Sequence, residues 1–484
     1  MDDKDDDDMF VKVPGSRAKS EEEIKMNTSK KSLILVGISI ILIIVALVII
    51  LYFVFHTNID DQNYIIAKFM IKNTTINNTI FYHTFKDSID TMKINDTEVD
   101  INNYININKH GLATIELKFK NKLQKLDNLF YYANTLEEVD LSFLFDEEII
   151  SASDMFHGCK NLKKIKFGEF EPQNLYNISN MFAGCEKLET VDVDIFTHGK
   201  LKDIYGLFYN CHMLKEINFG DFNTNNVINM SKLFSGCISL EKIDFNEAKN
   251  FRTGNVIDMS YMFQNCLKLE ILDLNLLNTS NVVYMNNMFD LCKNLKQLEI
   301  NSFNTQNVED MFYMFSGCES LTSLNLSKFD TSKVVDMFGM FKDCTSLDSV
   351  DINSFDTSHV EDMSEMFSNC NNFTEINNLD INVINVKSMI GMFRKCSHLT
   401  SLDISNFETN NLEQAYFFLT DCDSLEYLDL RKFNTLKVNA TDLTFFPDKK
   451  NGVKIIYNSS IFNLSIPNDW EQKDIKNKIN NDIY

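Results

Sequence analysis

The cysteines of this chain have the most regular spacing of any residue type that can do chemistry. The 484-residue chain has eleven, spaced 26 residues apart except for one step of 29: Cys159, Cys185, Cys211, Cys237, Cys266, Cys292, Cys318, Cys344, Cys370, Cys396 and Cys422. One cysteine per interval leaves no CxxC pair, and no histidine recurs beside them, so neither a zinc site nor a redox motif is predicted. We expect buried thiols that pack as small hydrophobic groups. Bridges between neighbouring intervals are the alternative.

Acidic residues recur at another position of the same interval, and carboxylates can attract cations or a basic partner. Asp or Glu fills eight of its twelve occurrences, of which seven are binding candidates: Asp192, Asp244, Asp273, Glu299, Asp351, Asp403 and Asp429. In one interpretation these residues serve the fold by accepting backbone hydrogen bonds. In the other they form a stripe, despite the mutual repulsion of like charges, that attracts a basic surface or divalent cations.

Catalytic motifs are absent from the sequence. The eight histidines are scattered over unrelated positions, and there is no HExxH motif, nucleophile elbow or Gly-rich phosphate loop. We therefore expect a protein that is not an enzyme and that has no metal or cofactor. A surface hydrolase is the least favoured alternative.

The interval that positions these residues has two halves. The first reads Leu-x-x-Leu-x-Leu, which has the alternation of a half-buried strand and matches the strand segment of a leucine-rich repeat. In the second half Asp336 is a good N-cap. Met337, Met340, Phe341 and Cys344 follow it at spacings of three, four and seven. This spacing predicts one face of a short helix.

Repeats of this length stack into a solenoid. A phenylalanine precedes ten of the cysteines and is interpreted as core: Phe156, Phe182, Phe208, Phe234, Phe263, Phe289, Phe315, Phe341, Phe367 and Phe393. The pattern extends past the cysteines at both ends, which predicts about twelve units over residues 123–446. The predicted fold is an α/β leucine-rich-repeat solenoid of 26-residue strand and short-helix units. At about 4.8 Å per strand, its strand face would be roughly 55 Å long.

The repeat resembles the BspA-like leucine-rich-repeat surface proteins from about Leu126 to Val438. In one copy the family positions are occupied in order by Met340, Phe341, Cys344, Leu347, Val350, Asp351, Ile352, Phe355, Asp356, Thr357, Val360 and Met363. The resemblance implies a surface-exposed solenoid that adheres to other cells, matrix proteins or host tissue. Pro172, His198 and Leu419 depart from the family pattern, so the first two copies and the last are expected to be irregular or capping units.

A continuous apolar stretch of 23 residues from Leu33 to Phe55 predicts a transmembrane helix. At 1.5 Å per residue it would extend about 34 Å, enough to cross a hydrocarbon core of about 30 Å. Arg17, Lys19, Lys25, Lys30 and Lys31 lie just before it, and Asp60 and Asp61 follow it. The positive-inside bias predicts a cytosolic tail at 1–32 and a single-pass, type II, signal-anchored protein with its repeats outside the cell or in a lumen.

The flanking regions lack the repeat. Residues 56–122 are rich in Asn, Ile and Thr and are interpreted as a stalk or small β capping module, and residues 447–484 as a C-terminal cap and tail. Sequons permit N-glycosylation at Asn73, Asn77, Asn95, Asn177, Asn229, Asn278, Asn325, Asn372, Asn439, Asn458 and Asn463.

The sequence favours binding over chemistry. With a formal net charge of −23, nucleic acid is not an expected partner, because phosphate binding needs clustered Lys and Arg. The expected function is that of a membrane-anchored, plasma-membrane surface protein, which recognises an extracellular or host protein or glycan through its solenoid face. The alternative is an interaction scaffold, luminal or cytosolic, on an internal membrane.

Overall fold

The computed structural model describes residues 63–71, 81, 83–100, 111–145, 148–376, 379–439, 444–447 and 452–476. The predicted tail at 1–32 and the predicted membrane span at 33–55 lie outside these residues. Within the described part of the chain, no helix is both long enough and apolar enough to cross a membrane.

An antiparallel sheet precedes the repeats. It consists of β1 (Tyr64–Ile71), β2 (Ile89–Ile94), β3 (Thr97–Val99) and β4 (Gly111–Phe119), with a 3-10 helix at His83–Ser88. The strand order is β3-β2-β4-β1, and β1 also pairs antiparallel with β5 (Leu136–Asp140), the first strand of the repeats. Alternate residues of β1 are buried, as the alternation of its side chains requires. The sheet therefore covers the N-terminal edge of the repeat stack, where an unpaired strand would otherwise be exposed.

The repeats wind into a β-solenoid of about twelve turns, which we call coils. After β5, the strands of the stack are β6 (Lys164–Lys166), β7 (Thr190–Asp192), β8 (Glu216–Asn218), β9 (Ile271–Asp273), β10 (Gln297–Glu299), β11 (Glu375–Ile376), β12 (Ser401–Asp403), β13 (Tyr427–Asp429), β14 (Lys454–Tyr457) and β15 (Glu471–Asp474). Strands pair in parallel with equivalent residues opposite each other, as Leu402 and Leu428 show, but the ladder is broken between β6 and β7, between β8 and β9 and between β10 and β11. The parallel stack includes β14 and β15, which follow the last cysteine.

The second half of each coil is not the predicted short helix. A second parallel ladder of single bridges runs through twelve coils, from Lys125 to Gln414. In the segment 337–344, the N–H groups of the odd-numbered residues donate to the next coil, whereas those of residues 340, 342 and 344 donate to the carbonyl three residues earlier. An α-helix would use the carbonyl four residues earlier throughout. Within the described residues there is no α-helix, so the helical interpretation of this spacing was wrong.

Backbone dihedrals explain the difference. Each coil has two residues with positive φ, four positions apart, and such residues interrupt a right-handed helix. Glycine fills seven of these positions: Gly158, Gly184, Gly206, Gly236, Gly317, Gly339 and Gly391. The residues at spacings of three, four and seven are nevertheless buried, because the tight turns direct them to the same interior. The glycines that recur 26 residues apart, such as Gly158 and Gly184, are the sequence signal for this backbone.

The core between the two ladders consists of aligned columns. The phenylalanine rings from Phe130 to Phe393 stack coil on coil with centroid separations of 5.5–5.9 Å. Beside them, each cysteine Sγ lies 3.0–3.3 Å from the carbonyl oxygen of the phenylalanine one coil earlier and donates to it. Stacked rings and a repeated hydrogen bond keep successive coils in the same register.

A column of buried threonines joins neighbouring coils at a third corner, between the strand and the second ladder. Its hydroxyl groups donate to a backbone carbonyl of the next coil over 2.7–3.0 Å. The column contains Thr224, Thr253, Thr279, Thr305, Thr331, Thr357 and Thr409. These bonds satisfy backbone groups where no strand ladder does so.

Candidate recognition surface

The candidate surface is the exposed side of the strand stack, which we call the strand face. In β7 and β9 the middle residue faces the core and the residues on either side are exposed. The acidic positions predicted from the sequence therefore form a row along the strand face: Asp192, Asp244, Asp273, Glu299, Asp351, Asp403 and Asp429. Three of them (Asp192, Asp273 and Asp351) are exposed, three (Asp244, Glu299 and Asp403) are half-buried, and Asp429 is buried.

The aspartates of this row have a role in the fold. The Asp273 carboxylate accepts a hydrogen bond from the N–H of Asn275 at 2.9 Å, two residues further along the chain. Asp192, Asp244, Asp351, Asp403 and Asp429 do the same at 3.0–3.2 Å. Such bonds form Asx turns, which end each strand and begin the corner. Glu299 differs, because it accepts from the side chains of Gln297 and Asn301.

Most of the row lacks a compensating cation. Asp244 is 3.2 Å from Lys242, and Asp429 is 2.6 Å from Arg431. No Lys or Arg of the described residues lies within 4.0 Å of the other five carboxylates, which are Asp192, Asp273, Glu299, Asp351 and Asp403. Because opposing strands place Asp273 against Glu299 and Asp403 against Asp429, the strand face concentrates negative charge.

The pKa values reflect this crowding. Partial burial and the nearby charges of Asp192 and Asp221 raise the pKa of the Asp194 carboxyl to about 6. At Asp244, hydrogen bonds from Asn246 and then the neighbouring Lys242 lower the pKa. Asp194 was not among the predicted site residues, because its position in the corner after β7 is not acidic in most coils.

Lysine neutralises part of a neighbouring row at the start of the strands. There Lys and Glu residues one coil apart pair at 2.8–3.2 Å, as in Glu137 with Lys163, Glu189 with Lys215, Glu241 with Lys268 and Glu270 with Lys296. Exposed pairs of this kind contribute little stability. The acidic row differs in that five of its seven carboxylates have no Lys or Arg within 4.0 Å among the described residues.

A lysine enclosed by tyrosines lies on the tight-turn side of the coils. The ammonium of Lys232 is 5.6, 5.6 and 5.3 Å from the ring centroids of Tyr205, Tyr209 and Tyr261, which come from the coils before and after it. Partial burial disfavours the charge, but a hydrogen bond with Tyr205 and the nearby tyrosines raise the pKa of Lys232. Cation–π contacts of this kind join adjacent coils. Sequence analysis missed this cluster, because the repeat position of Lys232 holds Gly206 in the coil before and Tyr261 in the coil after. No recurring residue type therefore marks the position.

The cysteines offer no reactive thiolate in the structure. All eleven are free and buried, and burial raises the pKa of Cys211, Cys292, Cys344 and Cys396 to about 12. A thiol at such a pKa stays protonated at neutral pH, and the protonated form is a poor nucleophile and metal ligand. In the described part of the chain, no three His, Cys, Asp or Glu residues are placed to hold a metal ion.

The sequon asparagines differ in exposure. Asn95, Asn278, Asn325, Asn372, Asn439 and Asn463 are exposed. Asn177 and Asn229 are half-buried within the second ladder, and Asn458 is buried with its Oδ1 accepting from Ser460. Asn73 and Asn77 lie outside the described residues. The exposed group is therefore the accessible one for glycosylation.

Comparison with known proteins identifies a family. The family described as "Mycoplasma protein of unknown function, DUF285" matches residues 124–244, 237–349, 298–383 and 349–458, which together span more than half of the chain. No curated protein matches the sequence.

Two bacterial structures are among those similar to this chain. A leucine-rich repeat protein from Bacteroides ovatus ATCC 8483 is 16% identical, with a TM-score of 0.33 over 62% of this chain and 78% of that chain. A leucine rich cell surface protein from Faecalibacterium prausnitzii A2-165 is 17% identical, with a TM-score of 0.25 over 53% of this chain and 83% of that chain.

Proposed function

The chain belongs to the DUF285 family, and from this premise we propose that it is a surface recognition protein whose strand face binds an extracellular protein or glycan ligand. The role is binding rather than catalysis. In this proposal the solenoid is displayed outside the cell by the apolar segment Leu33–Phe55, and adhesion is the use that the BspA-like resemblance implies.

The observation that carries the proposal is the exposed acidic row. Five of its carboxylates have no cation within 4.0 Å among the described residues. The aspartates need their oxygen to close an Asx turn, but an asparagine oxygen can close the same turn without the charge. The negative charge itself is therefore available to a partner with a basic surface, which it would attract over a distance.

Neutralisation of the row tests this function. A variant with Asp192→Asn, Asp273→Asn, Glu299→Gln and Asp351→Asn keeps the turns and removes four charges. It should bind a ligand found on an array of immobilised extracellular proteins and glycans at least about tenfold more weakly than the native chain, with less dependence on salt.

The matched control removes the same number of charges elsewhere. Glu309→Gln, Glu413→Gln, Asp421→Asn and Asp423→Asn alter exposed carboxylates outside the acidic row. This control should bind like the native chain. Equal loss of binding in both variants, or no loss in the first, would contradict recognition through the strand face.

An interaction scaffold on an internal membrane is the second candidate. The same strand face would serve it, because partner recognition by charge does not depend on the compartment. A cytosolic scaffold requires the reverse orientation of the apolar segment, whereas a luminal scaffold keeps the same orientation on an internal membrane.

A further inference from the structure

The strand ladder is interrupted at several coils, and one interruption falls at the single coil of 29 residues. β8 pairs with β7 and β9 pairs with β10, but residues 241–244, which lie between β8 and β9, form no strand. No backbone hydrogen bond joins residues 241–244 to either neighbour within the described chain. The additional residues lengthen the following corner, where the rings of Phe245 and Phe251 pack at 4.7 Å. The edge of β9 that faces this coil is therefore free.

A cleft of about 610 Å³ lies beside this free edge. That volume is within the roughly 300–1,000 Å³ usual for ligand pockets. Its walls come from the two coils, with Lys242, Asp244 and Asn246 on one side and Ile271 and Asp273 on the other. Ile271 is 58% exposed, an unusual state for a large apolar residue in a strand of this stack.

The backbone of β9 presents hydrogen-bonding groups to the cleft. The carbonyl of Glu270 accepts from the N–H of Lys296, and the N–H of Leu274 donates to Glu299, so the even-numbered residues bond towards β10. In a parallel strand, alternate residues direct their N–H and C=O to opposite neighbours. The N–H and C=O groups of Ile271 and Asp273 consequently point to the free edge.

The exposed side chains of β9 determine which chemical groups of a ligand would fit the cleft. Ile271 and Asp273 are two residues apart and lie on the same face of β9. Asp273 has no cation within 4.0 Å among the described residues, and Asp244, whose carboxylate is 3.2 Å from Lys242, lies on the opposite wall of the cleft. An apolar group beside Ile271 and a basic group between Asp244 and Asp273 would complement both.

We propose that this cleft binds an extended peptide segment, which adds a strand to the free edge of β9 and places an apolar side chain beside Ile271 and a basic one between Asp244 and Asp273. The main chain of the peptide provides hydrogen bonds, and alternate side chains provide specificity, as in other cases of strand addition. The inference rests on the proposed recognition function and specifies a site and a ligand class for it.

Labelled synthetic peptides test the site on the full-length chain by fluorescence anisotropy. The probes are Ser-Thr-Val-Thr-Lys-Thr-Ser and its reversed sequence, since the strand could add in either direction. At least one should bind, and replacement of its Lys by Glu should weaken binding at least about tenfold. Two N-methylated forms, one for each alternate set of amides, separate strand addition from attraction of charge. Methylation of at least one set should also cost about tenfold.

Variants of the chain locate the binding. Asp273→Asn keeps the Asx turn, and Ile271→Thr keeps a residue suited to a strand, and each should weaken peptide binding severalfold. Asp356→Asn is the matched control, because Asp356 also closes an Asx turn but lies outside the acidic row and the cleft. It should leave binding unchanged.

Three results would overturn the proposal. These are no binding by either peptide at millimolar concentration, equal binding by both methylated forms and the parent peptide, or equal loss of binding in the Asp356→Asn variant. If the array ligand still depends on the acidic row while the peptides fail, the cleft is wrong and the recognition function stands. If the peptides bind and the array ligand does not depend on the row, the cleft stands and recognition through the acidic row is wrong.

Discussion

At the scale of single residues, aspartate and asparagine act at three corners of each coil. In one copy Asp351, Asp356 and Asp362 each accept a hydrogen bond from the N–H two residues further on. Sequence analysis placed Asp336, the equivalent residue one coil before Asp362, at a helix N-cap, which is the same capping chemistry in a different backbone. A large part of the acidic composition therefore follows from turn geometry. The spacing predicted the position of each acid but could not show that its oxygen closes a turn.

Asp194 offers a residue-scale test through pH. Its pKa is raised to about 6 in the folded chain, above the value of about 3.9 for an unperturbed Asp. A raised pKa means that the folded state binds the proton more tightly, so this group favours the folded state most at pH below about 4, and that contribution is lost as pH rises through 6. Asp194→Asn should therefore raise the melting temperature at pH 7.5 and have little effect at pH 4.

The measurement is thermal unfolding followed by circular dichroism at both pH values. Asp348→Asn is a suitable control, since it changes another exposed acid of the strand-face side. An Asp194→Asn variant that is less stable than the native chain at pH 7.5 would contradict the repulsion argued for this cluster.

At the scale of the elements, the apolar spacing of the repeat predicted burial but not the type of element. Met337, Met340 and Phe341 are fully buried, as predicted. The same spacing suits a helix face and the tight turns observed here, so it could not distinguish them. The hydrogen bonds between coils and the positive φ at Gly339 produce tight turns instead of a helix. Neither feature follows from hydrophobic periodicity.

The threonine column provides the element-scale prediction. Thr305 is 1% exposed, and its hydroxyl donates to the carbonyl of Asp330 and accepts from the N–H of the same residue, both at 2.8 Å. Thr305→Val keeps the shape but leaves two buried backbone groups without a partner. We expect the free energy of unfolding to fall by about 2–3 kcal/mol.

Urea denaturation checks this value against a conservative variant. Thr305→Ser keeps the hydroxyl and loses only a methyl group, so it should be clearly more stable than Thr305→Val. If the Val variant is as stable as the Ser variant, the bonds between coils at this corner contribute nothing measurable.

At the scale of the whole molecule, the 26-residue spacing alone predicted a solenoid of about twelve units, and the structure confirms a β-solenoid with that number of coils. A sequence repeat predicts which residues of neighbouring coils contact each other, because equivalent residues must lie one coil apart. What the repeat could not predict arises where coils differ. The cleft beside β9 depends on one irregular coil, and the enclosure of Lys232 depends on tyrosines at three different positions of their coils.

The central claim is that the solenoid is displayed outside the cell, and the most direct test is antibody access to intact cells that carry one epitope before Met1 and another after Tyr484. The account predicts that the epitope after Tyr484 is labelled without permeabilisation and removed by external protease, while the epitope before Met1 is labelled only after permeabilisation. Protection of the C-terminal epitope in intact cells would contradict surface display and favour the scaffold on an internal membrane.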